Sequence, residues 1–400
     1  MALTQNAPDW SQRLAVPVGG LGGGAIAAIM AQSEAHGVIK LSGGLPDPAM
    51  FPAARVAAVT AQLMTTDPVT AMQYSPTRGL AGVRDAIACW RETTGDRRPG
   101  DDELMVTSGG IDALGLLARS FVEPGDVVVV EAPTYLGAIM AFRGQHADIR
   151  TVPMDEDGLD VDALATMLAT GIRPKLLYTI PDHHNPTGIS LSARRRRELV
   201  ELSRRHGVLI VEDVAYRDLS FSGDRENSLW SLAPDAVVQI GTFSKIFFPG
   251  VRLGWAAGPP SVVDAMITAK QNTDQCAGAL GQQLAAEMLR SGELERHLVR
   301  LRQNYASRWA TMLGALEERM PPGVTWTVPA GGFFTWLSTP EAVDTTALAD
   351  RAAAAGVLYV PGPLFDAAGR FRQHLRLSFS CAGLSDLAEG VARLAALVAS

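Results

Sequence analysis

Short apolar runs alternate with helix-length amphipathic stretches through the middle of the chain. The clearest runs cover residues 127–131, 176–179, 208–212 and 236–241, each flanked by Gly, Pro or Asp. They are continuous rather than alternating, the pattern of strands covered on both faces. Between them the spacing predicts helices over residues 112–121, 160–168 and 193–206. Strands and helices in alternation imply an α/β fold with a mostly parallel sheet. In such sheets ligands bind beyond the carboxyl ends of the strands, so the residues just after each run are the place to look for chemistry.

The last third has a different texture. Residues 261–316 read as one long helical stretch rich in Ala, Leu and Arg. Short β-like pieces follow at 324–328, 333–337, 357–360 and 375–379. The pattern predicts a large domain over 46–285 and a smaller α+β domain over 286–400. An N-terminal segment, 1–45, is expected to pack on the small domain and the active site.

Composition narrows the class. The chain has 400 residues, 47% hydrophobic and 19% charged, which excludes a disordered, collagen-like or disulfide-scaffold protein. The formal net charge is −7, a poor balance for a protein that coats phosphate backbones, so no nucleic-acid partner is expected. Cys89, Cys276 and Cys381 are odd in number and form no CxxC, which reads as reduced thiols in a cytoplasmic protein. A charge-free run lies between Arg13 and Glu34, but Pro17 and five glycines make it a poor spanning helix. No membrane partner is expected, and the run reads as a loop leading into a helix over 25–35. A loose GxGxxA from Gly20 to Ala25 follows no apolar strand and carries no dinucleotide reading.

The strand ends carry a coherent set of groups. After the run near Val106 comes Thr107-Ser108-Gly109-Gly110-Ile111, opening a helix whose free N–H groups and dipole suit an anion. After 127–131 comes Tyr135; after 176–179, Pro181-Asp182-His183-His184-Asn185-Pro186-Thr187-Gly188; after 208–212, Asp213 and Tyr216. After 236–241 come Thr242, Ser244, Lys245 and Arg252. Two hydroxyls and a guanidinium fit a phosphate dianion. A phosphate cup, a lysine, a carboxylate and a flat aromatic together fit pyridoxal 5′-phosphate (PLP), with the lysine as imine partner and the carboxylate facing the ring nitrogen.

At this point the chain resembles the fold-type I, PLP-dependent aminotransferases of class I/II, in the branch of the 2-aminoadipate and kynurenine aminotransferases. The resemblance spans about Gly43 to Phe379. It rests on Gly43-Gly44-Leu45-Pro46, Gln73-Tyr74-Ser75-Pro76 with Gly79, Asn185-Pro186-Thr187-Gly188, and Asp213 with Tyr216. Ser244 with Pro249-Gly250, Arg252 and Gly254, then Gly331-Gly332-Phe333-Phe334 and Leu375-Arg376-Leu377-Ser378, complete it.

The resemblance implies roles. Lys245 would form the imine and act as general acid and base, with aldimine and ketimine intermediates. Asp213 would pair with the pyridine nitrogen, and Asn185 and Tyr216 would hydrogen-bond the ring hydroxyl. Tyr135 would stack on the ring. Gly110 and Ile111 N–H groups, with Thr242, Ser244 and Arg252, would hold the phosphate. Tyr74 would reach the cofactor of a neighbouring subunit, which implies a homodimer with shared sites. Arg376 would bind the substrate α-carboxylate beside Asn185 and the Gly44 backbone. The implied reaction moves an amino group between an L-amino acid and a 2-oxo acid.

Two departures leave an alternative: the same cofactor diverting its carbanion to oxidation, elimination, replacement or cyclisation. Many relatives carry Gln-Gln where this chain has Ile111-Asp112, so a side-chain contact to the phosphate is expected to be lost. His183 is also an unusual residue before Asn185. His183 and His184 would point opposite ways and lack further ligand spacing, so no metal site is expected. A ligand-sensing transcription factor is disfavoured, because the aminotransferase-like region begins almost at residue 1. The run Arg194–Arg197 reads as a solvated helix face paired with Glu198 and Glu201.

Overall fold

The computed structural model describes Trp10 and residues 37–400. The predicted helix over 25–35, the charge-free run and the bulk of the N-terminal segment lie outside the described residues. The strands in chain order are β1 (Ile39–Lys40), β2 (Leu104–Thr107), β3 (Val127–Ala132), β4 (Asp148–Asp155), β5 (Gly158–Leu159), β6 (Leu176–Thr179) and β7 (Leu209–Asp213). They continue with β8 (Val237–Thr242), β9 (Gly254–Ala257), β10 (Thr325–Trp326), β11 (Phe334–Ser338), β12 (Val357–Leu358), β13 (Val360–Pro361) and β14 (His374–Ser378).

Among the described residues, eight strands form one sheet in the order β2-β9-β8-β7-β6-β3-β4-β5. The central pairs β4/β3, β3/β6, β6/β7 and β7/β8 are parallel, and β9 runs antiparallel between β8 and β2. Val128, Leu177, Ile210 and Val238 line its buried middle. Helices Gly110–Phe121, Leu136–Arg143, Val161–Ala169 and Ala193–His206 cross over between strands. Because the central strands are parallel, β6, β7 and β8 deliver Thr179, Asp213 and Thr242 to one edge.

The second sheet is antiparallel, β10-β11-β14-β13, with Trp336 opposite Arg376. The predicted piece at 357–360 is two strands, not one. Val357–Leu358 pairs with Ile39–Lys40, whereas Val360–Pro361 joins the four-stranded sheet. The piece at 324–328 is ordered as a strand only over Thr325–Trp326.

The single helical stretch predicted over 261–316 is three helices, Pro260–Gln271, Ala279–Arg290 and Glu293–Arg319. Apolar periodicity carries across the breaks and hides them. The second break falls at Gly292, whose φ of 67° is left-handed and ends the preceding turn.

The arginine run after the Asn-Pro-Thr-Gly turn also needs correction. Arg194 pairs with Glu198 at 2.7 Å on the surface as expected. Arg195 instead reaches Asp155 at 2.5 Å, and Arg196 is buried, donating to Asp182 at 2.8 Å. Arg217 meets the other Asp182 oxygen at 3.1 Å and Asp96 at 3.4 Å, and Asp96 also pairs with buried Arg91. This dry network ties the turn before Asn185 to the segment after Tyr216.

Burial separates two expected outcomes. Ile210→Ala, in the centre of β7, should cost about 2–5 kcal/mol through the cavity it leaves. Arg194→Ala, at an exposed pair, should change stability by less than about 0.5 kcal/mol. Urea unfolding of both variants checks the contrast; equal midpoints would contradict the placement.

Candidate active site

The end of β2 turns at Gly109 into helix Gly110–Phe121. Gly109 has φ 99°, and a Cβ there would stand 2.9 Å from the Arg252 guanidinium. The first N–H groups of the helix have no partners within it and face the end of β8. A Cβ on Gly110 would touch Thr242 at 3.6 Å, which shows how close the two elements come. Thr242 Oγ1 donates to Ser244 Oγ at 3.0 Å, and Arg252 reaches Ser244 Oγ at 3.5 Å and the Ser108 carbonyl at 3.4 Å. Hydroxyls, a guanidinium and a helix N-terminus thus converge on one cup.

Lys245 follows three residues after β8. Its Nζ donates to the Gly44 carbonyl at 2.8 Å. Burial lowers its pKa to about 8; Arg376 pushes the same way, and Asp213 opposes. Asp213 ends β7, accepts from Tyr178 OH at 2.9 Å and from the Ala215 N–H at 3.1 Å. Its carboxyl is raised to about 6 by burial, against the lowering effect of the Tyr178 hydrogen bond.

Tyr216 is buried edge-on to Phe333 and Phe334, at centroid distances of 5.4 and 5.6 Å, and hydrogen-bonds Asn185. Burial pushes its hydroxyl well above the usual tyrosine range. Asn185 Oδ1 also accepts from Arg376 at 2.8 Å. The Arg376 guanidinium donates to the Ser42 carbonyl at 2.6 Å and lies between the faces of Phe334 and Phe365, at 4.2 and 4.9 Å. Burial lowers its pKa to about 10, and its Nε has no hydrogen-bond partner. Tyr135 caps the next helix; its ring lies over Gly137, where a Cβ would be 2.5 Å away. Asp213, Arg376 and Arg252 all act electrostatically on the Tyr135 hydroxyl, so the ring belongs to this crevice.

Gly110, Ile111, Tyr135, Asn185, Asp213, Tyr216, Thr242, Ser244, Lys245, Arg252, Arg376 and Gly44 therefore lie around one crevice. Tyr74 does not join it within the chain; its side chain is 81% exposed. His184 is buried against Glu131 at 3.0 Å, and the His183 ring packs on Gly331 and Gly332, with a pKa lowered to about 4 by burial. Asp112 is turned away from the cup and accepts the Ser108 N–H at 2.8 Å. Sequence reasoning missed Tyr178 and Phe365. The one available signal was a phenol inside an apolar strand, since a buried Tyr hydroxyl requires a partner.

Pyridoxal 5′-phosphate fits these residues. The cup offers uncommitted backbone donors for a phosphate, a partly buried amine stands beside it, and a carboxylate waits at the neighbouring strand end. The orphaned Arg376 Nε leaves donor capacity for a carboxylate. Fold and site together define a PLP-dependent enzyme of the α/β class. The family described as aminotransferase class I and II matches residues 36–394. An aromatic-amino-acid aminotransferase of Thermococcus litoralis is 38% identical over 367 residues, 90% of this chain and 88% of its own. The crystal structure of Pyrococcus horikoshii kynurenine aminotransferase, a complex with PMP, superposes with a TM-score of 0.94 at 36% identity, covering 98% of both chains. The α-aminoadipate aminotransferase of Thermus thermophilus, complexed with N-(5′-phosphopyridoxyl)-L-leucine, gives 0.90 at 35% identity over 98% of both chains. This chain belongs to the class I and II aminotransferase family. It is a PLP-dependent enzyme of amino-group transfer.

The amine of Lys245 attacks an aldehyde only as the free base. With a pKa of about 8 rather than 10.5, its neutral fraction rises about tenfold per pH unit below 8 and levels above it. PLP uptake by the apoprotein, followed by stopped-flow absorbance, should show that profile. A rate still climbing at pH 10 would contradict the burial of this amine.

Proposed function

We propose that the crevice around Lys245 moves an amino group from an L-amino acid to a 2-oxo acid, with the residues above in defined roles. One observation carries the reading: a partly buried amine flanked by one carboxylate and two guanidiniums, Asp213, Arg252 and Arg376. Outside a catalytic setting, such an amine would be costly to keep dry.

Bound PLP supplies an electron sink for the charge left on the substrate Cα. The protein does the rest. Arg376, pinned between two phenyl rings, would receive the α-carboxylate as a bidentate pair, which fixes how the Cα–H bond is aimed. Lys245 would take the Cα proton as free base and return it one atom further along. Asp213, steadied by Tyr178 and the Ala215 N–H, would hold the proton on the facing ring nitrogen. Asn185 and Tyr216, already hydrogen-bonded to each other, would hold the ring hydroxyl. Gly110, Ile111, Thr242, Ser244 and Arg252 would anchor the phosphate, and Tyr135 would press on the ring.

The same reading extends to assembly. Val69, Met72 and Tyr74 are large apolar side chains, 74%, 77% and 81% exposed, on one short stretch. Such a patch suits a second copy of this chain, with Tyr74 reaching the partner's phosphate cup. The division at 46–285 and 286–400 is supported by the two sheets, whose strands fall within 104–257 and 325–378. The β1–β12 pairing supports packing of the N-terminal segment on the smaller part. No described helix is long and apolar enough to cross a membrane, and the three cysteines are unpaired.

Lys245→Ala should abolish transamination and the visible absorbance of the holoenzyme while leaving circular dichroism unchanged; a yellow, active variant would refute the assignment. Arg376→Lys should lower kcat/KM about 100-fold, the loss of a bidentate ion pair, with the cofactor still bound. Val69→Asp with Met72→Asp should shift the protein toward monomer in sedimentation velocity and cut activity in parallel.

A further inference from the structure

Ser108 sits where β2 passes into the cup, and each of its polar groups is held. Its carbonyl accepts from Arg252 at 3.4 Å, and its N–H donates to Asp112 Oδ2 at 2.8 Å. Its hydroxyl donates to Asp274 Oδ2 at 2.5 Å. The ammonium that gathers these partners is Lys270, fully buried on helix Pro260–Gln271. Lys270 Nζ lies 2.8 Å from Asp112 Oδ2, 2.7 Å from Asp274 Oδ1 and 3.3 Å from Ser108 Oγ. All three of its donors are used.

One cation against two carboxylates leaves this cluster negative, next to a cup suited to a phosphate dianion. Without Lys270, two carboxylates would repel that phosphate and each other. Asp112 also has a task in this arrangement. By engaging the Ser108 N–H, it fixes the corner from which the Gly110 and Ile111 N–H groups project.

We propose that Lys270 is a positioning residue for the phosphate cup: its ammonium locks Asp112 and Asp274 onto Ser108 and cancels carboxylate charge where the phosphate binds. The proposal rests on the reading of the crevice as a PLP site. It assigns a purpose to a buried lysine that does not touch the cofactor or substrate.

The test uses holoenzyme and apoprotein of Lys270→Met and Lys270→Arg. In Lys270→Met the dissociation constant for PLP, read from visible absorbance on dialysis, should rise about tenfold, the effect of an uncompensated negative charge beside the cup. Affinity of the apoprotein for inorganic phosphate, read by phosphorus NMR, should fall by the same factor. Lys270→Arg should restore much of both. Binding of PLP and phosphate within twofold of the parent, in a folded Lys270→Met protein, would overturn the proposal. If Lys270→Met does not fold, Lys270→Gln decides: the amide keeps donors for Asp112 and Asp274 but removes the positive charge, so phosphate should bind several-fold more weakly. Unchanged or tighter binding there would overturn the proposal. Failure of the parent protein itself to take up PLP would instead refute the crevice reading.

Discussion

Lys245 holds a partly buried amine against a main-chain carbonyl acceptor, and a partly desolvated ammonium is expensive unless charge compensates it. The fold meets this with two parallel strand ends. β7 brings Asp213 and β8 brings the loop of Lys245, so the carboxylate and the amine arrive together by register. The same burial moves their pKa values toward each other, down to about 8 for the lysine and up to about 6 for the aspartate. A lysine tuned this way can take and return a proton near neutral pH, while the aspartate stays mostly ionised to face the ring nitrogen.

Around that pair, rigidity comes from aromatic packing and dry ion pairs. Phe333 packs on Tyr216 and on Tyr305, linking the crevice to helix Glu293–Arg319. Phe334 packs on Tyr216 and under Arg376. Asp182, three residues before Asn185, holds Arg196 and also Arg217, which follows Tyr216, and so pulls the two segments together. A buried ion pair adds little net stability, but breaking one costs several kcal/mol, so such groups define geometry more than they strengthen the fold.

The central strands were legible because each is buried on both faces and carries an unbroken apolar run. Residues 176–179 matched β6 to the residue, and the helix over 193–206 matched as well. The cup was legible because Gly109, Gly110, Thr242, Ser244 and Arg252 sit just after strands. What stayed hidden depends on distance along the chain. Tyr178 meets Asp213 across 35 positions, and Lys270 meets Asp112 across 158, so no local pattern connects them. Arg196 looked solvated because Arg194 and Arg197 are; only the fold reveals that its turn of helix faces Asp182. The breaks within 261–316 were masked by apolar spacing that continues through them.

The ribbon from Ile39 to Leu45 touches both sheets' territories at once. It pairs with β12, offers the Ser42 carbonyl to Arg376, the Gly44 carbonyl to Lys245 and the Leu45 carbonyl to Ser380. Two of these peptide oxygens accept from the cations of the crevice. They satisfy two cations through main-chain oxygens, so charge as well as strand pairing sets where the ribbon lies. Any displacement of this one ribbon would therefore disturb a strand pairing and both cations at once.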